Sequence, residues 1–227
     1  MCGRFTNNAK ERDIEQEFKV GKLNSVTFAA RYNIAPSQII PAVTEANGER
    51  AVNEFRWGLV PAWAKDDAIG NKLINARAET LAEKPSFKNA YAKRRCIIPA
   101  SGFYEWAKKG DGKKQPFYFY LKDKPVFGFA GLWEEWTDRE TGELLETCTI
   151  ITTEANACLE PVHDRMPVIL KPEDYDQWLD EKEKKTERLQ TLLVPYPAAE
   201  MASHAVGKAV NTPTYNSPEL IERLNSK

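Results

Sequence analysis

The sequence predicts an α+β fold in a single domain over residues 1–227, with an antiparallel, barrel-like β core flanked by helices. Three observations lead to this prediction. The chain has 227 residues, of which 42% are hydrophobic, which suits one hydrophobic core. Strand-like segments occur in clusters with helices between them, and strand and helix rarely alternate. No internal repeat or low-complexity tract divides the chain.

The helices are indicated by apolar periodicity and by capping residues. Asn7 to Phe18 is predicted as a helix with Asn7 or Asn8 as its N-cap and with Ile14 and Phe18 on one face. The other predicted helices are Ser86 to Lys93 with Ser86 as cap, Pro172 to Leu179, Lys184 to Leu193, and Ser217 to Leu224 with Pro218 at its first position. A proline suits a first helical turn because its missing N–H has no partner there.

The strands are indicated by apolar and β-branched runs between turn residues. Gln38 to Thr44 and Ala51 to Arg56 are predicted as two strands joined by an Asn47-Gly48 turn, which is a strong hairpin signal. The other predicted strands are Arg95 to Ile98, Gly102 to Trp106, Pro116 to Leu121, Val126 to Trp133, Leu144 to Thr152 and Met166 to Leu170. The run Lys108 to Lys114 is predicted as a loop between two of them.

The charges are unevenly distributed along the chain, although the net charge is only −1. Residues 1–125 hold 22 Lys and Arg against 14 Asp and Glu, whereas residues 126–227 hold 10 against 19. This asymmetry is compatible with one basic, nucleic-acid-binding face, but an ordinary solvated surface gives the same counts.

The cysteines and histidines exclude the commonest metal and disulfide patterns. The four cysteines are Cys2, Cys96, Cys148 and Cys158, and the two histidines are His163 and His204. Because none forms a CxxC pair or zinc-finger spacing, we expect no metal site, no disulfide scaffold and no cofactor. We expect Cys96, Cys148 and Cys158 to be buried and His204 to be structural.

The sequence has no signal peptide and no apolar stretch near the ~20 residues that a membrane span needs. We therefore expect a soluble, intracellular, cytoplasmic protein and a monomer.

Cys2 stands out because it follows the initiator Met1. Removal of Met1 would leave Cys2 with an α-amine and a thiol, whose unperturbed pKa values are about 7.7–8.0 and about 8.5. Such a 1,2-aminothiol condenses with an aldehyde to an imine, and the thiol then closes intramolecularly to a five-membered thiazolidine. From Cys2 alone, a chance residue at an exposed terminus is the simpler interpretation.

Cys2 belongs to an ordered set of motifs that extends to Asn211. In chain order the motifs are Met1 to Phe5, Arg31 to Pro36, Arg56 to Ala64, Asn75 to Thr80, Arg95 to Trp106, His163 to Pro167, and Val210-Asn211. Each motif is weak singly, but the ordered set resembles the SRAP family (SOS-response-associated peptidases, or abasic-site processing proteins). The resemblance covers nearly the whole chain.

The resemblance implies a DNA damage response protein that cross-links abasic sites in single-stranded DNA and so shields them from strand cleavage. It implies Cys2 as the nucleophile and, as partner, single-stranded DNA with an abasic site, including a site at a single-strand/double-strand junction. Such binding would place the protein on the nucleoid. The supporting catalytic groups it implies are Asn75, Glu105 and His163. The phosphate contacts it implies are Arg4, Arg77 and Arg165.

The residue types suit these roles. Glu105 lies between two aromatic residues, and an apolar setting raises a carboxyl pKa into the range useful for proton transfer. His163 lies in a polar run that we expect to be a loop. Exposed indoles of Trp57 and Trp63 would stack on bases or wedge a duplex end, although a core position was an equal alternative for one of them. Pro36 completes the predicted DNA-binding set.

Three other functions remain open from the sequence. Cys2 and His163 would also serve a thiol peptidase, and a freed Cys2 amine would serve an N-terminal-nucleophile amidohydrolase. A non-catalytic single-strand binding module needs no Cys2 chemistry at all. Peptidase activity on its own chain and lyase chemistry at the imine are further expected side activities.

Overall fold

A computed structural model describes residues 2–24, 28–108, 110 and 112–224, so that Met1 and two residues of the predicted 108–114 loop, Lys109 and Asp111, lie outside it. The strands in this part of the chain are β1 Phe5–Asn7, β2 Lys22–Leu23, β3 Arg31–Ile34, β4 Ile39–Ala46, β5 Glu49–Trp57, β6 Asn75–Arg77, β7 Arg95–Ala100, β8 Gly102–Lys108, β9 Lys114–Leu121, β10 Phe127–Thr137, β11 Leu144–Glu154, β12 Arg165–Pro167, β13 Ile169–Leu170 and β14 Met201–Ala205. The α-helices are α1 Glu11–Phe18, α2 Lys88–Lys93, α3 Tyr175–Leu179 and α4 Thr186–Gln190. Short 3-10 helices span Asp67–Lys72, Ala78–Thr80, Pro172–Asp174, Ala198–Glu200, Lys208–Asn211 and Pro218–Ile221.

Five strands of the larger sheet close into a barrel. Hydrogen-bonded neighbours run β11-β10-β7-β4-β5, and β5 returns to pair with β11 in parallel at Cys148 and Trp57. The β4–β5 and β10–β11 pairs are antiparallel hairpins, and the barrel is completed by the β4–β7 and β7–β10 pairs. The short strands β2, β6, β12 and β13 extend its edges. The predicted α+β fold with a barrel-like core is confirmed.

A second, antiparallel sheet of five strands packs against the barrel in the order β14-β9-β8-β1-β3. Phe5 of β1 and Phe119 of β9 both pair with Phe103 of β8, so the three rings lie on one face of the sheet. They meet the barrel residues in a common core, where Phe5 makes edge contacts with Trp57 at 5.2 Å and with Phe129 at 5.8 Å between ring centroids.

The helices cover the outside of the barrel. Ile14 and Phe18 of α1 are fully buried, as predicted, in a cluster with residues of α2, α3 and the barrel strands. Trp178 of α3 is also fully buried, and its indole N–H donates to the carbonyl of Cys96 at 2.9 Å. None of the helices in the described ranges is long and apolar enough to cross a membrane.

Several predictions from local sequence are confirmed. The Asn47-Gly48 hairpin forms between β4 and β5, and both turn residues have positive φ, at 55° and 79°, as a type I′ turn needs. The strands predicted at 95, 102, 116, 126 and 144 appear as β7 to β11, most of them longer than predicted. Cys96 and Cys148 are buried as predicted, whereas Cys158, which was also predicted to be buried, is only half-buried.

Other predictions were wrong at element ends. Asn7 ends strand β1, and the helix begins only after Lys10, because residues 5–7 pair with β8 and β3 instead of capping α1. Phe87, and not Ser86, is the N-cap of α2, and no side chain caps that helix. The predicted C-terminal helix is a single 3-10 turn, Pro218–Ile221.

Candidate active site

Cys2 lies just before β1, and its burial is complete. Pairing of Phe5 with Phe103 fixes β1 between β8 and β3 and brings Cys2 into the shared core. The thiol makes a long contact of 3.9 Å to the carbonyl of Arg4. Burial, and secondly the charge of Glu105, hold the pKa of the thiol far above its usual range, so it is protonated at neutral pH. The expectation of an exposed terminal cysteine is therefore wrong for this chain.

Asn75 holds the backbone of Cys2 in place. It begins β6, which pairs in parallel with β11 at Ile150. The Asn75 side-chain amide donates from Nδ2 to the Cys2 carbonyl at 2.8 Å. Its Oδ1 atom is buried and has no hydrogen-bond partner among the residues that the structure describes. The Nδ2 group of Asn75 thus fixes Cys2, while the Oδ1 atom can still accept a hydrogen bond from another donor.

Glu105 is a buried carboxyl in the middle of β8. Strand alternation puts it on the same face as Phe103, toward the core, and its exposed fraction is only 3%. The pKa of Glu105 is raised to about 7. Burial is the main cause and the charge of Asp164 adds to it, whereas the positive charge of the chain's α-amino group partly offsets the rise. At neutral pH the carboxyl therefore exchanges a proton readily in either direction.

His163 lies in the turn that leads into β12. Its Nδ1 accepts the backbone N–H of Arg165 at 2.9 Å, and the same atom is 3.0 Å from a carboxylate oxygen of Asp164. A nitrogen that accepts an N–H carries no proton, so the neutral ring holds its proton on Nε2. Burial, and secondly the α-amino charge, lower the pKa of His163. When the ring is protonated, its Nδ1–H would donate to the exposed carboxylate of Asp164.

These groups come from distant parts of the sequence into one electrostatic neighbourhood. Glu105 acts on the pKa of the Cys2 thiol, and Asp164 acts on the pKa of both Glu105 and His163. Asn75 contacts Cys2 directly. The structure thus brings together a thiol, a carboxyl with a pKa near neutrality, an imidazole and an amide. Asp164, not predicted as a site residue, adjoins His163 in sequence, and that adjacency was the available signal.

Two of the three predicted phosphate-binding arginines already have protein partners. Arg165 forms a two-pronged ion pair with Glu79 at 2.6 and 2.9 Å and also donates to the carbonyl of Thr152 at 2.7 Å. Arg4 is half-buried, and its NH1 group donates to Asn33 at 2.7 Å and to the Val210 carbonyl at 2.6 Å. Arg77, at the end of β6, is exposed.

The two tryptophans of the predicted DNA-binding set have different environments. Trp57 is fully buried, and its indole N–H donates to the Ile74 carbonyl at 2.8 Å, so it is a core residue and its assignment to base stacking is corrected. Trp63 is 51% exposed and presents an indole to solvent. Pro36 is half-buried in the turn after β3.

Within the described ranges, no group of three or more His, Cys, Asp and Glu side chains is arranged to hold a metal ion. His204, expected to be structural, donates a hydrogen bond from Nε2 to the Ile221 carbonyl at 2.8 Å.

The fold and the cluster around Cys2 define an α+β protein in which Cys2 accepts a hydrogen bond from the side-chain amide of Asn75 and lies within electrostatic range of the Glu105 carboxyl. The chain belongs to the SOS response associated peptidase (SRAP) family, whose model matches residues 1–213. It is 48% identical over 223 residues to the abasic site processing protein YoqW of Bacillus subtilis, covering 98% of this chain and 99% of that one. It is 34% identical over 198 residues to the abasic site processing protein HMCES of Gallus gallus, covering 77% of this chain and 58% of that one. A crystal structure of a Bacteroides thetaiotaomicron protein superposes with a TM-score of 0.87 at 32% identity, over 99% of this chain and all of that one.

Proposed function

We propose that this protein captures abasic sites in single-stranded DNA by forming a covalent thiazolidine between Cys2 and the aldehyde of the ring-opened sugar. The reaction requires removal of Met1, so that Cys2 carries a free α-amine beside its thiol. The names of the relatives support abasic-site processing. The observation that carries the chemistry is the position of Cys2, held by Asn75 beside a carboxyl whose pKa is about 7.

The reaction has two bond-forming steps. The Cys2 amine adds to the aldehyde carbon, and loss of one water gives an imine. The thiol sulfur then adds to the imine carbon, and the nitrogen gains a proton as the sulfur loses one. One water is lost overall, and no oxidant is needed. The second step is intramolecular, so the proximity of the two groups on adjacent carbons favours it strongly.

The supporting groups have distinct tasks in this scheme. Protonated Glu105 donates to the sugar ring oxygen during opening and to the departing water, and ionised Glu105 takes the proton of the thiol. His163 presents Nε2–H to the sugar and shuttles a proton in capture and reversal. The free Oδ1 of Asn75 accepts from a sugar hydroxyl or from the Cys2 amine.

Single-stranded DNA is the proposed partner, and the exposed groups suit it. Arg77 would contact a phosphate directly, whereas Arg165 would exchange Glu79 for a phosphate oxygen. Trp63 would stack on a base or wedge the end of a duplex at a single-strand/double-strand junction. Pro36 is the other apolar residue proposed to contact the DNA. Arg4 would add a phosphate contact while its NH1 group keeps its protein partners. We further propose that a single-domain monomer performs this function in the cytoplasm.

A thiol peptidase is the main alternative function. Attack on an amide needs a thiolate whose pKa is depressed by a neighbouring cation. Burial and Glu105 instead raise the pKa of the Cys2 thiol. We therefore favour addition to an imine, because the electrophile forms on the adjacent nitrogen and does not require a standing thiolate.

The test is intact-mass analysis after mixing the protein with single-stranded DNA that holds one abasic site. We expect the mass of the oligonucleotide less one water to be added to the chain that lacks Met1. DNA with a tetrahydrofuran in place of the abasic sugar has no aldehyde and is the matched substrate control. An unchanged protein mass with the abasic substrate would refute covalent capture and leave plain binding or peptidase activity.

Cys2→Ala is the matched protein control. It keeps an α-amine, so an imine should still form and be trapped by borohydride, but no stable adduct should accumulate. Because ring closure consumes the imine, its loss should also increase strand cleavage by β-elimination. A stable adduct from Cys2→Ala at the wild-type rate would contradict the mechanism.

A further inference from the structure

A cavity lies at the end of the five-stranded sheet that is far from Cys2. It has a volume of about 580 Å³, within the usual range for small-molecule sites. Its wall combines the segment between β1 and α1, the 122–125 turn after β9, and the outer faces of β9 and β14.

The cavity is separate from the candidate active site. Glu105 and Phe103 face the core side of the sheet, whereas Tyr118 is paired with Tyr104 and lies with it in a different cluster, on the outer side. The residues that line the cavity include none of the four candidate site residues Cys2, Asn75, Glu105 and His163. A ligand in this cavity would not touch the Cys2 cluster.

One wall of the cavity is aromatic. Tyr118 and Tyr120 lie two residues apart on the same face of β9, and their rings are stacked with centroids 5.8 Å apart and planes at 18°. His204 of β14 pairs with Tyr118 and lies 5.8 and 5.7 Å from the two rings. Tyr118 is fixed by a 3.0 Å hydrogen bond to Thr6, and His204 by its bond to Ile221. The wall is therefore preformed, and a planar ring can stack on it without ordering the side chains first.

The rim of the cavity offers a cation and an acceptor. Lys122 donates to the Ala199 carbonyl at 2.7 Å, and Lys124 is 3.9 Å from Glu17. Lys10 is exposed at the rim, so its ammonium is accessible to an anion. The Oδ1 atom of Asn8 is buried without a hydrogen-bond partner in the described part of the chain.

Two carboxylates, Asp13 and Asp123, also line the cavity. Asp13 already accepts the backbone N–H of Lys10 at 3.3 Å. The lining holds three lysines against two carboxylates, and Glu17 beside Lys124 offsets the excess, so Lys10 is the cation that suits a ligand with a single phosphate group.

We propose that this cavity binds a nucleotide unit, with the base against Tyr120 and His204 and the phosphate at Lys10. A planar heteroaromatic ring matches the aromatic wall, and a phosphate matches the lysine rim. An exocyclic amino group of the base would reach Asn8 Oδ1 after rotation of the Asn8 amide, which makes adenine a better match than thymine. The nucleotide would be either free or part of a nucleic acid strand.

The test uses the Cys2→Ala protein, so that covalent capture plays no part and its failure cannot be confused with failure of this site. Deoxyadenosine monophosphate, adenosine and a tetranucleotide of deoxyadenosine are titrated by calorimetry and by backbone amide NMR. We expect the phosphate-bearing probes to bind and to shift the amides of β9 and the 122–125 turn. A tetranucleotide that binds tighter than the monophosphate identifies a strand as the source, and equal affinities identify a free nucleotide.

Three variants locate the site. Tyr120→Leu, which removes the ring, should weaken both phosphate-bearing probes about tenfold, whereas Tyr120→Phe should stay within about twofold. Lys10→Glu, at an exposed position, should weaken the monophosphate more than adenosine, and it tests the site even if Tyr120→Leu melts early. The proposal is overturned if no probe binds at millimolar concentration. It is equally overturned if binding ignores Tyr120→Leu and Lys10→Glu but is lost in Asn75→Ala.

Discussion

Glu105→Gln separates the charge of Glu105 from its shape, and the structure predicts opposite effects on stability and on rate. Burial raises the pKa of Glu105 from an ordinary 4.5 to about 7. At 1.36 kcal/mol for each pH unit, the ionised form costs the folded state about 3 kcal/mol. Because the folded state binds the Glu105 proton more tightly than the unfolded chain does, this group contributes fully to the free energy of unfolding below pH 4.5. The contribution is lost as the pH rises from about 4.5 to about 7.

The glutamine variant carries no charge at any pH and avoids this loss. We therefore expect Glu105→Gln to be more stable than the wild type at pH 8 by up to about 3 kcal/mol, or roughly 6–12 °C for a chain of this size. Below pH 4.5 the difference should disappear. Melting temperatures of both proteins at pH 4, 6 and 8 measure it.

The same substitution should slow cross-linking. Loss of a general acid–base group typically costs roughly 10²–10⁴ in rate, and the bend that Glu105 produces in the pH–rate profile near pH 7 should vanish. Single-turnover cross-linking between pH 5.5 and 8.5 measures both effects. Glu160→Gln, at an exposed position, is the matched control and should change neither quantity. A Glu105→Gln protein that is no more stable at pH 8 and cross-links within about twofold of wild type would refute the assignment.

Three further predictions follow from the same structure. Trp57→Ala should lower the free energy of unfolding by about 3–5 kcal/mol in denaturant titrations, because it leaves a cavity in the core. Trp63→Ala should barely change stability and should weaken single-strand binding instead. Equal losses of stability would contradict the two environments. Glu79→Gln should increase single-strand affinity severalfold in anisotropy titrations at low salt, because it removes the carboxylate that competes with phosphate for Arg165, and unchanged affinity would argue against that exchange. Arg77→Ala should lower affinity for all base sequences alike and reduce the slope of log affinity against log salt by about 0.7, so an unchanged slope would exclude a phosphate contact there.

Sequence reasoning succeeded where the determinants of structure are local. Asn47-Gly48 specifies its hairpin because both residues accept the positive φ that the turn requires. Ile14 and Phe18 lie four residues apart and were correctly placed on the buried face of α1. The apolar runs of β7 to β11 were found because each is long enough to show its character.

It failed where tertiary pairing decides the structure. Asn7 has the side chain of an N-cap, but it belongs to β1, a strand of three residues whose partners begin 24 and 95 residues further along the chain. Asn75 begins β6, another three-residue strand, paired in parallel with a partner 75 residues away. Strands this short carry no periodicity, yet these two place Cys2 and Asn75 beside each other.

The candidate site shows the same division. The ordered motifs singled out Cys2, Asn75, Glu105 and His163 together, and the aromatic neighbours of Glu105 correctly indicated a raised pKa. No local signal indicated that Cys2 itself would be buried, since burial depends on how β1 enters the core. For the same reason Trp57 could not be told from Trp63 by sequence, although one is buried and the other exposed.

The burial of Cys2 bears on which reaction the site favours. An exposed cysteine thiol has a pKa near 8.5 and is partly thiolate at neutral pH. In this site burial and the charge of Glu105 both oppose ionisation of the Cys2 thiol. The negative charge is therefore held by the carboxyl of Glu105, whose pKa is about 7, and not by the thiol. A protonated thiol is a poor nucleophile toward an amide that arrives from outside. It is adequate toward an iminium carbon formed on its own α-nitrogen, because that electrophile is strong, is held within bonding distance, and has Glu105 beside it to take the proton. The arrangement that disfavours peptide hydrolysis thus favours ring closure, which is why we propose aldehyde capture as the function of this site.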